Sequence, residues 1–403
     1  MSFDVAAVRK EFNILRREVH GKPLVYLDSA ASAQKPNAVL EAMAASMLGS
    51  YANVHRGLHT LANETTEAYE GARERVARFI GAPFAEQVVF TKGATHAINI
   101  VAAGLHIEPG DEIVLSHMEH HSNIVPWHFL RERKGAVLRW LDVDDDGRID
   151  LAHLERLIGR KTKLVALTHM SNVLGVKTPA REVVDIAHGH HVPVLFDGCQ
   201  AVVHGPVDVK EIGADYYVFS GHKLYGPTGI GVLYGRPHRL DALPPFEGGG
   251  EMIETVTTEK VTYNDPPHRF EAGTPPILEA IGLGAAVDWL DNLDRAAIAN
   301  HEHALRDRLM NGLRDLNYVK LYGQAPDKGA IVAFNIEGAH PHDVAQIVDR
   351  EGVAIRAGHH CAQPLMTRLG VSATARASIA LYNTEHDIAV LLEALAKARR
   401  MLS

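Results

Sequence analysis

A chain of 403 residues is long enough for two domains, each with its own core. Its 46% hydrophobic and 22% charged residues are ordinary for a soluble globular protein. The net charge of −8 argues against non-specific nucleic-acid binding, which needs clustered positive charge.

No apolar run is long enough to span a membrane. Residues 1–17 alternate charged and apolar side chains and lack a signal-peptide core. The expectation is a cytoplasmic protein with neither a nucleic-acid nor a membrane partner. Two cysteines, Cys199 and Cys361, are too few for a disulfide framework, so each is weighed as a thiol. The 25 histidines are spread along the chain, with no HExxH, no CxxC and no internal repeat.

In chain order, residues 5–16 read as a helix, 21–23 as a turn and 24–28 as a short strand. Residues 29–32 form a small-residue loop that would let a ligand approach the backbone. Pro36 opens a helix to about residue 48. A polar loop at 53–57 precedes an amphipathic helix at 64–80, with Gly81 at its C′ position. Strands at 87–91, 112–115, 137–141, 164–168 and 192–196 then alternate with helices at 93–101, 123–134, 150–158 and 179–188. That alternation predicts an α/β fold with a doubly wound, mostly parallel sheet. Its strands are continuous apolar runs, as expected when both faces are covered. Residues 216–219 and 230–234 are two further buried strands flanking a Gly-rich turn. Residues 244–276 are a long irregular segment and 277–316 one or two helices. A strand at 331–336, a helix at 342–351, a strand at 353–356, a loop at 357–361, a strand at 375–379 and a helix from 385 make a small C-terminal α+β domain. The boundary is placed between residues 285 and 286, with residues 1–20 free to pack on the small domain.

Open α/β sheets bind ligands outside the carboxyl ends of their strands. Five polar clusters fall there: Gly93 to Thr95, His120 and His121, Ser171 and Asn172, Asp197 and Gln200, and Ser220 to Lys223. Lys223 sits on the turn between two buried strands. Desolvation there lowers a lysine's pKa and prepares it to condense with a carbonyl; the plainer reading is a solvated surface turn. Ser220 and His222 are donors suited to a phosphate. Gly93-Ala94-Thr95 combines a flexible turn, a helix N-terminus and a hydroxyl, which attract an anion or serve as a simple cap. Asp197 ends an apolar strand and needs a partner, such as a protonated ring nitrogen or a structural cation. Cys199 reads mainly as a packed residue. His120 and His121 can stack on a planar group or move protons. Their spacing with Glu119 is not a recognisable metal-ligand pattern. Cys361 follows Gly358, His359 and His360 on a loop, where the histidines and the following helix would raise its thiolate fraction; the plainer reading is a buried, inert cysteine. Arg356 and Arg376 can grip a substrate carboxylate, or join a surface salt bridge.

Together these residues resemble a known family. Ser220-Gly221-His222-Lys223-Leu224-Tyr225-Gly226-Pro227-Thr228-Gly229 is similar to the cofactor-lysine signature of class V, fold-type I pyridoxal 5′-phosphate enzymes. Leu27 to Ala31, Val54 to Gly57, Met118 to His121, Ser171 to Gly175, Arg269 to Pro275 and Arg356 to Cys361 resemble SufS-type (group II) cysteine desulfurases nearly end to end. The short Gly358 to Ala362 loop resembles group II rather than the longer loop of the IscS/NifS group.

The resemblance implies that Lys223 carries the cofactor, His120 stacks on it, Asp197 pairs with its pyridinium nitrogen and Gln200 bonds its phenolic oxygen. Ala94, Thr95, Ser220 and His222 would surround the phosphate, with Thr274 reaching in from a second subunit of a homodimer. Asn172, Arg356, Arg376, His55 and Ala30 would face the substrate, L-cysteine, and Cys361 would accept its sulfur. The family also implies a SufE- or SufU-like acceptor protein and sulfur supply to iron–sulfur cluster assembly. Two positions depart from the family's pattern: Ala94 stands where a second threonine is common, and Cys199 where alanine is common. A selenocysteine lyase, or another fold-type I pyridoxal 5′-phosphate lyase, is the alternative activity. A His/Cys metal-binding protein is the alternative without one.

Overall fold

The computed structural model describes residues 3–402; residues 1, 2 and 403, which the domain reading takes in, lie outside the described residues. The main sheet has seven strands, ordered 137–141, 112–116, 162–168, 194–197, 216–220, 231–235 and 88–91. All run parallel except Gly231–Gly235, which is antiparallel to both neighbours. Val88–Thr91, Val194–Asp197, Tyr216–Ser220 and Gly231–Gly235 are buried at every position. Apolar runs with helices packed over both faces have no solvent side to expose.

The reversed strand matters for the site. A parallel neighbour would need a long crossover, whereas Gly231–Gly235 returns directly from Tyr216–Ser220. The turn between them therefore stays at the sheet's carboxyl edge, and Lys223 is in it. The fit is tight: a Cβ on Gly231 would meet Gly93 Cα at 2.4 Å, so only glycine lets the strand pass the Gly93 turn.

A second, antiparallel sheet carries Val319–Tyr322, Ile331–Ile336, Thr374–Ser378 and Arg356–Gly358, in that order. It has its own apolar cluster, including Leu305, Leu309, Val332, Phe334 and Leu391. The helix Arg295–Asp315 joins the two cores, with Ile298 in the first and Leu305 to Leu313 in the second. Val25–Tyr26 pairs in parallel with Val353–Ala354.

The structure differs from the sequence expectation in local ways. The helix expected at 5–16 ends at Arg9, and a 3₁₀ turn covers Asn13–Arg16. Phe12 leaves the helix to pack edge-on against Tyr382, Trp289 and Tyr225, at 4.7, 5.5 and 6.2 Å between ring centres. Burying an aromatic ring outweighs one more helical turn. The strand expected at 353–356 is two strands, Val353–Ala354 and Arg356–Gly358, in different sheets. The irregular segment at 244–276 contains a hairpin, Ile253–Val256 with Val261–Tyr263. The strand Val319–Tyr322 was unexpected. Among the described residues no helix is long and apolar enough to cross a membrane.

Candidate active site

At the carboxyl edge of the main sheet lies a cavity of about 230 Å³. Asp197, Ser220, His222 and Lys223 line it from the strand ends and the Lys223 turn. Ala94 and Thr95 reach it from the helix Ala94–Gly104, and Ala30, His120 and Asn172 from loops. Arg356 and Arg376 close it from the second sheet. Eleven residues singled out from sequence thus line one cavity, although they span positions 30 to 376.

The phosphate-sized end is built on backbone. The N-cap residue of the helix Ala94–Gly104 makes no side-chain cap bond, so first-turn N–H groups other than that of Ala94 are available to an anion. Ala94 N donates to Ser220 Oγ at 2.9 Å, and Thr95 Oγ1 lies 2.6 Å from Ser122 Oγ. Asp197 is 5% exposed, and its Oδ1 accepts from Cys199 N at 3.0 Å.

His120 is a neutral base at physiological pH. Burial first, and then the charge of Lys223, push it down to about 4. Ser122 N donates to its Nδ1 at 3.1 Å. His222 is likewise pushed down to about 4, by burial and then by Lys223 and Lys35. Neutral rings spare the site further positive charge next to Lys223.

The opposite wall is cationic. Arg356 and Arg376 face each other in register on neighbouring strands. Arg376 is 1% exposed; it donates to Asn172 O at 2.8 Å and Asp28 Oδ1 at 2.9 Å, while its buried Nε has no partner among the described residues. A buried guanidinium with a spare N–H and a second arginine beside it suits a carboxylate.

Cys361 is outside the cavity lining, half-buried on the adjoining loop. That loop is strained: Gly358, His360 and Cys361 have φ of 131°, 52° and 56°. Hydrogen bonds fasten it to the cavity wall. His121 N donates to Cys361 O at 2.7 Å, and Asn172 Nδ2 to His360 O at 2.8 Å. Cys199, by contrast, is buried in the cavity floor, where burial and then Asp197 push its thiol up to about 12.

Three other singled-out residues fall outside the lining. Gln200 is buried beside it, with Nε2 donating to Ala30 O at 2.9 Å. Thr274 is exposed on its loop. His55 is engaged with Glu70 at 2.8 Å. Two residues not singled out prove central, and His360, read only as a neighbour of Cys361, takes a place in the cavity. Ser122 bridges His120 and Thr95, His360 lines the cavity with an unpartnered Nδ1, and Asp28 holds Arg376. Ser122 is two residues from His120, and a hydroxyl so near was a signal worth following. Asp28 carried none, because its partner is 348 residues away.

A larger hollow of about 430 Å³ lies where the N-terminal segment meets the last helix. Its lining includes Lys22 and Lys397 paired with Glu351, and Arg9 paired with Asp387.

Residues 25–391 match the aminotransferase class-V family. A probable cysteine desulfurase of Halalkalibacterium halodurans is 50% identical over 396 residues, covering 97% of each chain. A probable cysteine desulfurase of Mycolicibacterium paratuberculosis is 47% identical across 98% of this chain, which spans 58% of that relative's length. The crystal structure of the cysteine desulfurase CsdA from Escherichia coli has the same fold, with a TM-score of 0.93 and 39% identity over 100% of both chains. A lysine turn at the edge of a seven-stranded sheet, an uncapped helix beside it and relatives matching at full length agree on one assignment: this chain belongs to the aminotransferase class-V family, among the cysteine desulfurases.

Proposed function

We propose that this protein is a pyridoxal 5′-phosphate-dependent cysteine desulfurase of the SufS type, which converts L-cysteine to L-alanine and leaves the sulfur on Cys361. One observation carries the reading. Lys223 and Asp197 line one cavity, two arginines close it, and the thiol-bearing loop is hydrogen-bonded to the same wall.

The residues fit the cofactor. Lys223 offers an amine to hold it covalently, and the uncapped helix with Thr95, Ser220 and His222 offers donors for its phosphate. Asp197 offers a buried carboxylate for its ring nitrogen, and His120 a neutral ring to lie against it. When bound, the cofactor supplies an electron sink that loosens bonds at the substrate's α and β carbons. The chain's own groups do the rest. Arg376 Nε, Arg356 and Asn172 orient the substrate's carboxylate. Lys223 Nζ moves the proton at Cα. Neutral His120 takes or gives a proton at the substrate's amine or thiol. The Cys361 thiolate attacks the substrate sulfur. An S–S bond forms, the Cβ–S bond breaks, and Cβ takes a proton to complete alanine. The test is Cys361→Ala: alanine formation from cysteine stops while the cofactor stays bound. Undiminished turnover overturns the reading.

The short Gly358 to Ala362 loop supports the SufS-type assignment. The same reading extends to a homodimer. Leu48 and Leu58 are 89% and 101% exposed, with Met47 and Tyr51 also exposed, an apolar surface that a second copy would cover. Thr274, exposed in one chain, would then approach the partner's cavity. A SufE- or SufU-like acceptor would collect the sulfur for iron–sulfur cluster assembly, in the cytoplasm. Two apolar cores, which part between Ile298 and Leu305 along one helix, support a two-domain division that begins later than residues 285 and 286.

A further inference from the structure

We propose that His121, His359 and Cys361 form a binding site for a thiophilic divalent cation of the zinc class, outside the cofactor cavity, which masks the sulfur-accepting thiol. One ligand nitrogen from each histidine and Cys361 Sγ all lie within 4.8 Å of one another. Tetrahedral zinc holds nitrogen and sulfur ligands at about 2.0–2.3 Å, which spaces them by roughly 3.3–3.6 Å. Side-chain movements of about an ångström therefore close the triad on an ion. No sequence spacing announces it, because His121 and Cys361 are 240 positions apart and the fold alone joins them.

The two segments are tied before any ion arrives. His121 N donates to Cys361 O at 2.7 Å, and the His121 and His359 rings lie 5.4 Å apart at 35°. His359 is exposed, which gives an ion a route in. The bonds in the way are weak. Gln363 N reaches His121 Nε2 at 3.3 Å and Cys361 N reaches His359 Nδ1 at 3.1 Å.

On binding, the Cys361 S–H bond breaks, its proton passes to solvent, and a sulfur–metal bond forms. The ion stays divalent, and nothing is oxidised or reduced. Three protein ligands leave a fourth position for water or an incoming thiolate. A thiolate whose lone pair is given to the ion no longer attacks the substrate sulfur. That inhibition rests on the desulfurase reading; the binding does not.

The test titrates the cofactor-loaded enzyme, without cysteine, with Co²⁺ as the probe. One equivalent per chain should produce the intense visible bands of tetrahedral cobalt, and Zn²⁺ should erase them. His121→Ala, His359→Ala and Cys361→Ser should each weaken cobalt binding at least about tenfold, with cofactor absorbance and circular dichroism confirming the fold. Saturating Zn²⁺ should also protect Cys361 from iodoacetamide in the parent enzyme but not in His359→Ala. Tetrahedral bands that survive Cys361→Ser, binding without such bands, or alkylation at the same rate with Zn²⁺ would each overturn the site. Alanine formation is measured separately. Its absence in metal-free enzyme defeats the desulfurase reading and leaves the binding result standing.

Discussion

The cavity floor and the cysteine loop hold a thiol each, and the two thiols have opposite characters. Cys199 lies at the end of a fully buried strand, and its thiol is pushed up to about 12. Cys361 lies half-buried on a loop with three left-handed residues, fastened by hydrogen bonds at His360 and Cys361. The floor positions groups by burying them, which suits an anchor. The loop keeps its thiol near solvent, which suits a nucleophile that must pass its sulfur on. Reactivity follows that placement and not residue type.

Removing the floor's anchor should have the largest effect. Lys223→Ala should lower alanine formation by about 10²–10⁴-fold or more. Borohydride should then no longer fix the cofactor to the chain, as mass spectrometry would show. The next effect falls on the wall shared by floor and loop. Arg376→Lys loses the planar fork that reaches Asn172 O and Asp28. Losing one charged hydrogen bond is worth about 1.5–3 kcal/mol, so KM for cysteine should rise about tenfold to a hundredfold, more than kcat falls.

A pH series sharpens the comparison, because each region holds a depressed histidine. His120 in the cavity wall is pushed down to about 4, and His360 in the loop to about 3, both chiefly by burial. An unfolded histidine titrates near 6.5. Below that value the unfolded chain binds protons that the native sites refuse. Stability should therefore fall as pH drops from about 6.5 to about 4, with each histidine contributing about 1.4 kcal/mol per pH unit. Urea midpoints at pH 7 and pH 5 measure the slope, and His360→Asn should reduce it. A slope unchanged by that variant would mean the loop histidine is protonated in the native state.

The smallest effect separates the two thiols directly. Cys199→Ala should cost about 1 kcal/mol and leave the alkylatable thiol in place. Iodoacetamide should label Cys361 in native protein and reach Cys199 only after unfolding. Native labelling of Cys199 would abolish the distinction.

Much of the main sheet was legible because its strands are unbroken apolar runs between helices of ordinary period. Residues 137–141 and 331–336 form strands over those same spans. Local pattern failed where long-range packing took over. Phe12 broke a helix to reach three rings from distant segments, and residues 353–358 were divided between two sheets by distant strand partners, Val25–Tyr26 and Thr374–Arg376. In the site, residues at strand ends were found because strand ends are visible in the sequence. Ser122, Asp28 and the cavity place of His360 were missed because these roles depend on partners rather than on sequence neighbours.

Sequence alone determined which groups were on hand: an amine on a glycine-rich turn, a carboxylate ending an apolar strand, paired arginines and a thiol after two histidines. These follow from side-chain chemistry and from hydrophobic period, both properties of short windows. Only the tertiary structure decided which of them meet. Closing a cavity from positions 30 to 376 depends on sheet order and on the reversed strand Gly231–Gly235, and bringing His121 to Cys361 depends on one backbone hydrogen bond. Such contacts arise from the packing of the whole chain, so no single stretch of it could announce them.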